Sequence, residues 1–323
     1  MSNESITVTS SVHSNPVATR PKTNPSLRNI GAMLLLAIMW GLSIPMTKFG
    51  LMTLPPLTMT ALRFAIAVPL MLLFIVGKPK PPLRAVPRLA VLGVFGIGIG
   101  QITQSLGVAG ISASVGAVIS ATIPVFIVIL AAQRLKQRVS SQQTLGLLAA
   151  FVGVLMVTLG NGGNALDTSG SSPLGVGLML VSALALSFYS VWSIELSDAH
   201  GATTVAAWST LFGFLTFLPL AGWEIWDEPP HITAEVIGAA LYLGIVVTVA
   251  GLFLWLHLLH TVPARTAAYV QYLQPIIGIG ASALMFGDKL GLLFGAGVIL
   301  VLIGLALSMR SQGKHADEPQ AAR

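Results

Sequence analysis

Residues 113–124 read ASVGAVISATIP, and residues 264–275 read ARTAAYVQYLQP. Laid over one another at an offset of 151 residues, Ala113 meets Ala264, Ala117 meets Ala268 and Pro124 meets Pro275. The same offset carries Gly146 onto Gly297 and Gly153 onto Gly304. One matched proline is cheap, but several proline and glycine matches in register over about thirty residues mark an internal repeat. The chain is read as two tandem halves.

Both halves are built for hydrocarbon. Of 323 residues, 54% are hydrophobic and only 9% are charged, with a mean hydropathy of +0.84. A soluble domain carries about 25% charged residues, so this chain cannot clothe its surface for water. Apolar runs near the ~20 residues needed to span a bilayer are expected at 29–50, 57–77, 88–107, 111–132, 142–160, 174–196, 202–222, 234–256, 263–286 and 290–309. The expected fold is an all-α integral membrane protein of ten transmembrane helices. Residues 29–160 and 174–309 form its two five-helix repeats, between polar tails at 1–28 and 310–323. The first tail is rich in Ser, Thr, Asn and Pro, reads as disordered, and lacks the apolar core of a cleaved signal.

Lys and Arg set the orientation. With the N-terminus inside, the inner segments hold Arg20, Lys22, Arg28, Lys78, Lys80, Arg84, Arg88, Arg134, Lys136, Arg138, Arg310, Lys314 and Arg323, while the outer ones hold Lys289 and little else basic, and Glu224, Asp227, Glu228 and Glu235 gather there. That asymmetry obeys the positive-inside rule and places both termini in the cytoplasm. The inner segment from Glu195 to His200 is the exception, being acidic. Five spans is an odd number, so the second half must sit inverted relative to the first, as in secondary transporters whose substrate site lies where the repeats meet.

Several motifs now fall into order: Trp40-Gly41, Lys48, Pro55-Pro56 and Arg63-Phe64 in the first half, and Pro275 followed by Phe286-Gly287-Asp288-Lys289-Leu290 in the second. In order and spacing, over about residues 30–309, the chain resembles EamA-type transporters of the drug/metabolite transporter superfamily. The resemblance implies a central cavity lined by helices one, three, four, six, eight and nine, and an exporter in the bacterial inner membrane. It departs from the family pattern at Gln137, where a glutamate is common, while the equivalent position in the second half keeps a carboxylate, Asp288.

Polar groups within hydrocarbon are costly and therefore candidates for function. Arg63, in the outer third of helix two, either attracts a substrate carboxylate or caps carbonyls of a neighbour. Lys48, at the outer end of helix one, either does the same or snorkels to the headgroups. Tyr269, Gln271, Tyr272 and Gln274 form a polar stripe ahead of Pro275, suited to a zwitterion or to gluing helices together. Gln101, Gln104 and Ser105 make a patch on helix three; Trp40, Ser43 and Thr47 a stripe on helix one; Tyr189, Trp192 and Ser193 mark helix six. Substrate binding is expected at Trp40, Ser43, Arg63, Gln101, Gln104, Tyr189, Trp192, Tyr269, Gln271, Tyr272 and Gln274. Pro124 and Pro275 break the backbone ladder at matched positions and are the expected hinges.

Other chemistry is set aside. Gly96-Ile97-Gly98-Ile99-Gly100 lacks the last glycine and the preceding strand of a dinucleotide fingerprint, no phosphate-loop lysine motif occurs, and His257 and His260 lack zinc-protease spacing. With no cysteine and no basic stripe interleaved with aromatics, no cofactor, metal or nucleic acid is expected. The predicted activity is export of amino acids or related small metabolites by alternating access, without catalysis, by a chain in the lipid bilayer that is expected to act as a monomer. Multidrug or cation efflux, and sugar or nucleoside transport, are the alternatives within transport. An intramembrane enzyme or lipid-handling protein is the distant one. Intramembrane proton carriers are scarce, Glu195, His257 and His260 all falling at inner helix ends, so facilitated transport is favoured over proton coupling.

Overall fold

The computed structural model describes residues 26–134, 136, 140–160, 172–227, 229–262, 266, 269–288 and 290–316. The expected tails up to residue 25 and from residue 317, together with Gln137 and Lys289, lie outside them. Among the described residues, eight helices are long and apolar enough to cross a membrane: α1 Leu27–Gly50, α2 Pro56–Leu73, α3 Leu83–Ala109, α4 Ala113–Arg134, α5 Ser141–Gly160, α6 Pro173–His200, α7 Ala202–Asp227 and α8 Ala234–Leu259. They are followed by α9 Tyr269–Phe286 and α10 Leu292–Ala316. The described residues contain no strand. A helix keeps every backbone bond inside one segment, which is what hydrocarbon requires.

The helix starts are written locally. Hydroxyls of Ser26, Ser112, Ser172 and Thr233 accept backbone N–H groups three residues on, capping α1, α4, α6 and α8. Pro56 and Pro173 open α2 and α6, where the missing N–H costs nothing. Gly201, at φ +83°, lets α6 give way to α7 across a single residue. Helices α6 and α7 outlast their expected ends at 196 and 222, reaching His200 and Asp227. Hydropathy marks where a helix leaves hydrocarbon, whereas hydrogen bonding continues into the interface. Trp223 and Trp226 stand exposed on that extension of α7, as interfacial tryptophans do.

The matched glycines of the repeat meet in space. A Cβ on Gly153 would lie 2.7 Å from the carbonyl oxygen of Gly297, and one on Gly297 equally close to that of Gly153; Gly146 and Gly304 oppose each other in the same way. Helices α5 and α10 therefore cross antiparallel with their backbones touching, as small residues allow in membranes. Gly41 of α1 and Gly278 of α9 make a second close crossing, the latter 2.9 Å from the Gly41 carbonyl once a Cβ is added.

Two π-helical stretches interrupt the long helices, 92–98 in α3 and 242–250 in α8, at almost the repeat offset. Each carries near its start a glycine, Gly93 or Gly244, seated against a helix of the opposite half. A Cβ on Gly93 would meet Phe212 on α7, and one on Gly244 would meet the Arg63 carbonyl on α2. A further proline pair, Pro69 and Pro219, lies within α2 and α7. Of the expected hinge residues, Pro124 follows a break in α4 between Ala113–Ser120 and Ile123–Arg134, whereas α9 runs on through Pro275.

Candidate functional site

Arg63 lies two turns into α2, facing the π-stretch of α8. Its Nε donates to the Thr248 hydroxyl at 3.0 Å, which itself donates to the Leu243 carbonyl at 2.8 Å. That bond spans i to i−5, the period of the π-helical stretch itself. The guanidinium also lies 5.2 Å from the Phe64 ring centroid. Among the described residues no carboxylate pairs with it. A cation so placed inside a bundle has a large unmet capacity for an anion.

Around Arg63 the structure gathers Gln101 and Gln104 from α3, Thr47 from α1, and Thr60 from α2 into one small cavity of about 10 Å³, room for about one water. Its walls are tied down: Ser105 and Thr60 both donate to the Pro56 carbonyl, at 2.6 and 2.9 Å. Trp40 and Tyr189 flank the two π-stretches. Trp40 Nε1 donates to the Val247 carbonyl at 3.2 Å, with the ring 5.7 Å from that of Trp255. Tyr189 packs against Gly96, where an added Cβ would come within 2.6 Å of it. Ser43 is half-buried one turn below Thr47, whose hydroxyl bonds its carbonyl.

The α9 residues do not join this cluster. Gln271, Tyr272 and Gln274 are half-buried on the part of α9 nearer the Arg134 end, and Tyr269 is exposed. Trp192 lines a different cavity of about 440 Å³, with Arg88, Leu92, Arg134, Phe188 and Glu195. There Arg134 bonds Glu195 at 2.7 Å and the Val191 carbonyl, and lies 5.5 Å over the Trp192 ring. Arg88 stands 3.9 Å from Glu195. The acidic segment at the end of α6 thus belongs to an ion-pair cluster with the basic ends of α3 and α4. Charge counting along the chain leaves that pairing hidden.

The opposite end of the bundle is fastened by charged caps. Lys48 does not snorkel: Nζ donates to the carbonyls of Val108, Ala109 and Ile111 at 3.0, 3.1 and 2.8 Å, closing the C-terminal end of α3. Asp288 accepts from the backbone N–H of Ser114 at 2.9 Å, at the start of α4. Glu224, from the end of α7, accepts from the N–H groups of Leu57 and Thr58 and from the Thr58 hydroxyl, at 3.3, 2.6 and 2.7 Å. Each charge faces the helix end whose dipole suits it, and two of the three caps cross between halves. Thr60, Thr248, Phe188 and the Arg134–Glu195 pair escaped the sequence reading. The signal for the last was Glu195, an acid on a basic side, sharing one α6 face with Phe188 and Trp192 at helical spacing.

The sequence profile of the EamA-like transporter family matches twice, over residues 27–159 and 173–310, and the chain belongs to that family. An uncharacterized transporter of Archaeoglobus fulgidus is 26% identical over 84% of this chain and 95% of its own length. A protein of Salmonella typhimurium named a probable amino-acid metabolite efflux pump is 26% identical over 85% of this chain and 93% of its own length. One solved crystal structure shares the fold, with a TM-score of 0.60 and 16% identity over 90% of this chain and 99% of that one. The protein is a multi-pass transporter of the plasma membrane, and its homologues are named as transporters or efflux pumps rather than enzymes.

Proposed function

We propose that this transporter exports amino acids or closely related small metabolites by alternating access, with Arg63, Gln101 and Gln104 at the heart of its substrate site. The observation that carries the proposal is a guanidinium inside the bundle whose hydrogen-bond partner is a neutral hydroxyl, with two amides beside it. An α-carboxylate would satisfy the fork of Arg63, and the amides would take the ammonium without the desolvation cost of a fixed anion. The relative named for amino-acid metabolite efflux supports the cargo. The antiparallel glycine crossing of α5 and α10 supports two inverted repeats of five spans each, 29–160 and 174–309. Within an arrangement of ten spans, the basic residues at the Arg134 end and the acids at the Lys48 end support cytoplasmic termini. In that orientation the caps of Lys48, Asp288 and Glu224 close the outer face, while the larger cavity lies at the inner face. Pro124 and Pro275, with the two π-stretches, are the positions proposed to flex.

The test is uptake of a panel of radiolabelled amino acids into liposomes reconstituted with the protein, beside empty liposomes, with and without a pH gradient. Competable uptake by the parent is expected. Arg63→Gln removes a charge-assisted bond worth about 1.5–3 kcal/mol, a loss of roughly 10- to 100-fold in apparent affinity. Uptake by Arg63→Gln indistinguishable from the parent sinks the assignment of the site. Absence of uptake across the panel sinks the assignment of the cargo.

A further inference from the structure

The large inner cavity is not explained by a central site that Arg63 organises. Its wall is one face of α6, where Phe188, Trp192 and Glu195 follow at helical spacing. Phe188 and Trp192 stack with centroids 4.6 Å apart and planes at 27°, and with Leu92 they form an apolar part of the cavity wall. Above it stand two guanidinium groups and one carboxylate, so the cluster carries one positive charge in excess. The three charges are not equally engaged. Arg134 is held by Glu195, by the Val191 carbonyl and over Trp192, with a side chain 25% exposed. Arg88 is 73% exposed and reaches Glu195 only at 3.9 Å, while Glu195 itself is 68% exposed. A cavity of about 440 Å³ falls within the ~300–1,000 Å³ of small-molecule sites.

We infer that this inner cavity is a loading site, distinct from the Arg63 cluster, that selects α-amino acids with an apolar or aromatic side chain. The carboxylate takes Arg88, the ammonium takes the outer oxygen of Glu195, and the side chain lies against Phe188, Trp192 and Leu92. Each ligand group replaces a loose contact rather than the tight Arg134–Glu195 bond, so occupancy does not require the ion pair to break. A molecule lacking either charge leaves one of the two exposed partners unmatched, and one lacking the apolar part leaves the aromatic wall wet. The inference deepens the amino-acid export reading and rests on it.

The experiment is equilibrium binding of tritiated L-phenylalanine to the full-length protein in nanodiscs, competed by phenylethylamine, which lacks the carboxylate, and by 3-phenylpropionate, which lacks the ammonium. In the parent, unlabelled phenylalanine should compete at least about tenfold better than either analogue. Binding should fall at least about tenfold in Trp192→Ala. In Glu195→Gln the advantage of phenylalanine over phenylpropionate should vanish, and in Arg88→Gln its advantage over phenylethylamine should vanish. Arg88 is exposed, so the last variant carries the test even where Trp192→Ala fails to fold. Phenylalanine binding that Trp192→Ala, Glu195→Gln and Arg88→Gln all leave unchanged overturns the loading site and leaves amino-acid export by the Arg63 cluster standing. Absence of both binding and uptake of every amino acid by the parent overturns both.

Discussion

The π-helical stretches of α3 and α8 occupy matched positions in the two halves, yet different chemistry sustains each. In α3 the stretch 92–98 is glycine-rich, with Gly93, Gly96 and Gly98, and the bare coil lies directly on α7 and α6. In α8 the stretch 242–250 carries Val246, Val247, Thr248 and Val249 instead. There side chains donate to carbonyls of the stretch: Thr248 to Leu243, and Trp40 to Val247. The repeat thus retains a backbone shape while the residues that hold it have diverged. The consequence for function is direct. At the repeat offset, Thr248 of the second half answers to Ile97 of the first, so only α8 presents a hydroxyl from its widened turn, and that hydroxyl is the one Arg63 uses. An inherited symmetry in the scaffold has become an asymmetric polar site.

That comparison is most severely broken by filling the glycines. A side chain at Gly93 must displace the backbone of α7 at Ser209 and the Phe212 side chain. At Gly244 the obstacles are the Arg63 carbonyl at 2.8 Å and Ile66 at 3.1 Å. Overpacking of this kind costs roughly 1–3 kcal/mol. Gly93→Val is expected near the top of that range and Gly244→Val below it, each read as a fall in apparent Tm of purified protein. The reverse order would show that glycine is not what sustains the first stretch.

A gentler variant sharpens the same contrast. Thr248→Ile gives α8 the residue that α3 has at the matched position, removing the bond to Leu243 and the partner of Arg63. Hydrogen bonds between membrane helices contribute on the order of 1 kcal/mol, so a small fall in apparent Tm and a severalfold weaker transport affinity are expected. Unchanged values for both would mean that the second stretch stands without its side-chain bonds.

Much of the scaffold was legible because span length and apolarity follow directly from bilayer thickness, and because glycines and prolines cannot be exchanged freely where backbones touch. The glycines that marked the repeat, at 146, 153, 297 and 304, are those that meet at the α5–α10 crossing. The π-stretches left no trace, since one extra residue in a helical turn changes neither hydropathy nor composition. Of the expected binding residues, Arg63, Gln101 and Gln104 converge, while the α9 stripe of Gln271, Tyr272 and Gln274 lies apart from them. Polarity at depth identifies a candidate but not its neighbours. Lys48 shows the same gap: its charge was plain, but the carbonyls it caps belong to a turn sixty residues on.

The two ends of the bundle differ as the two π-stretches do, one closed by charged caps and the other hollow, and that difference is the core of an alternating-access account. The chain contains no cysteine, so single cysteines can report it directly. Thr47→Cys, at a position 6% exposed beneath the Lys48 cap, and Val91→Cys, in the wall of the larger cavity proposed to face inward, would be probed with a membrane-impermeant maleimide in right-side-out and inverted vesicles. The prediction is that position 91 reacts only in inverted vesicles and position 47 in neither. Adding Lys48→Ala removes a cap worth about 1 kcal/mol and should raise labelling of position 47 severalfold from the outside. Equal labelling of position 47 from the outside with and without Lys48, or reaction of position 91 from the outside, would contradict the closed outer face on which the account depends.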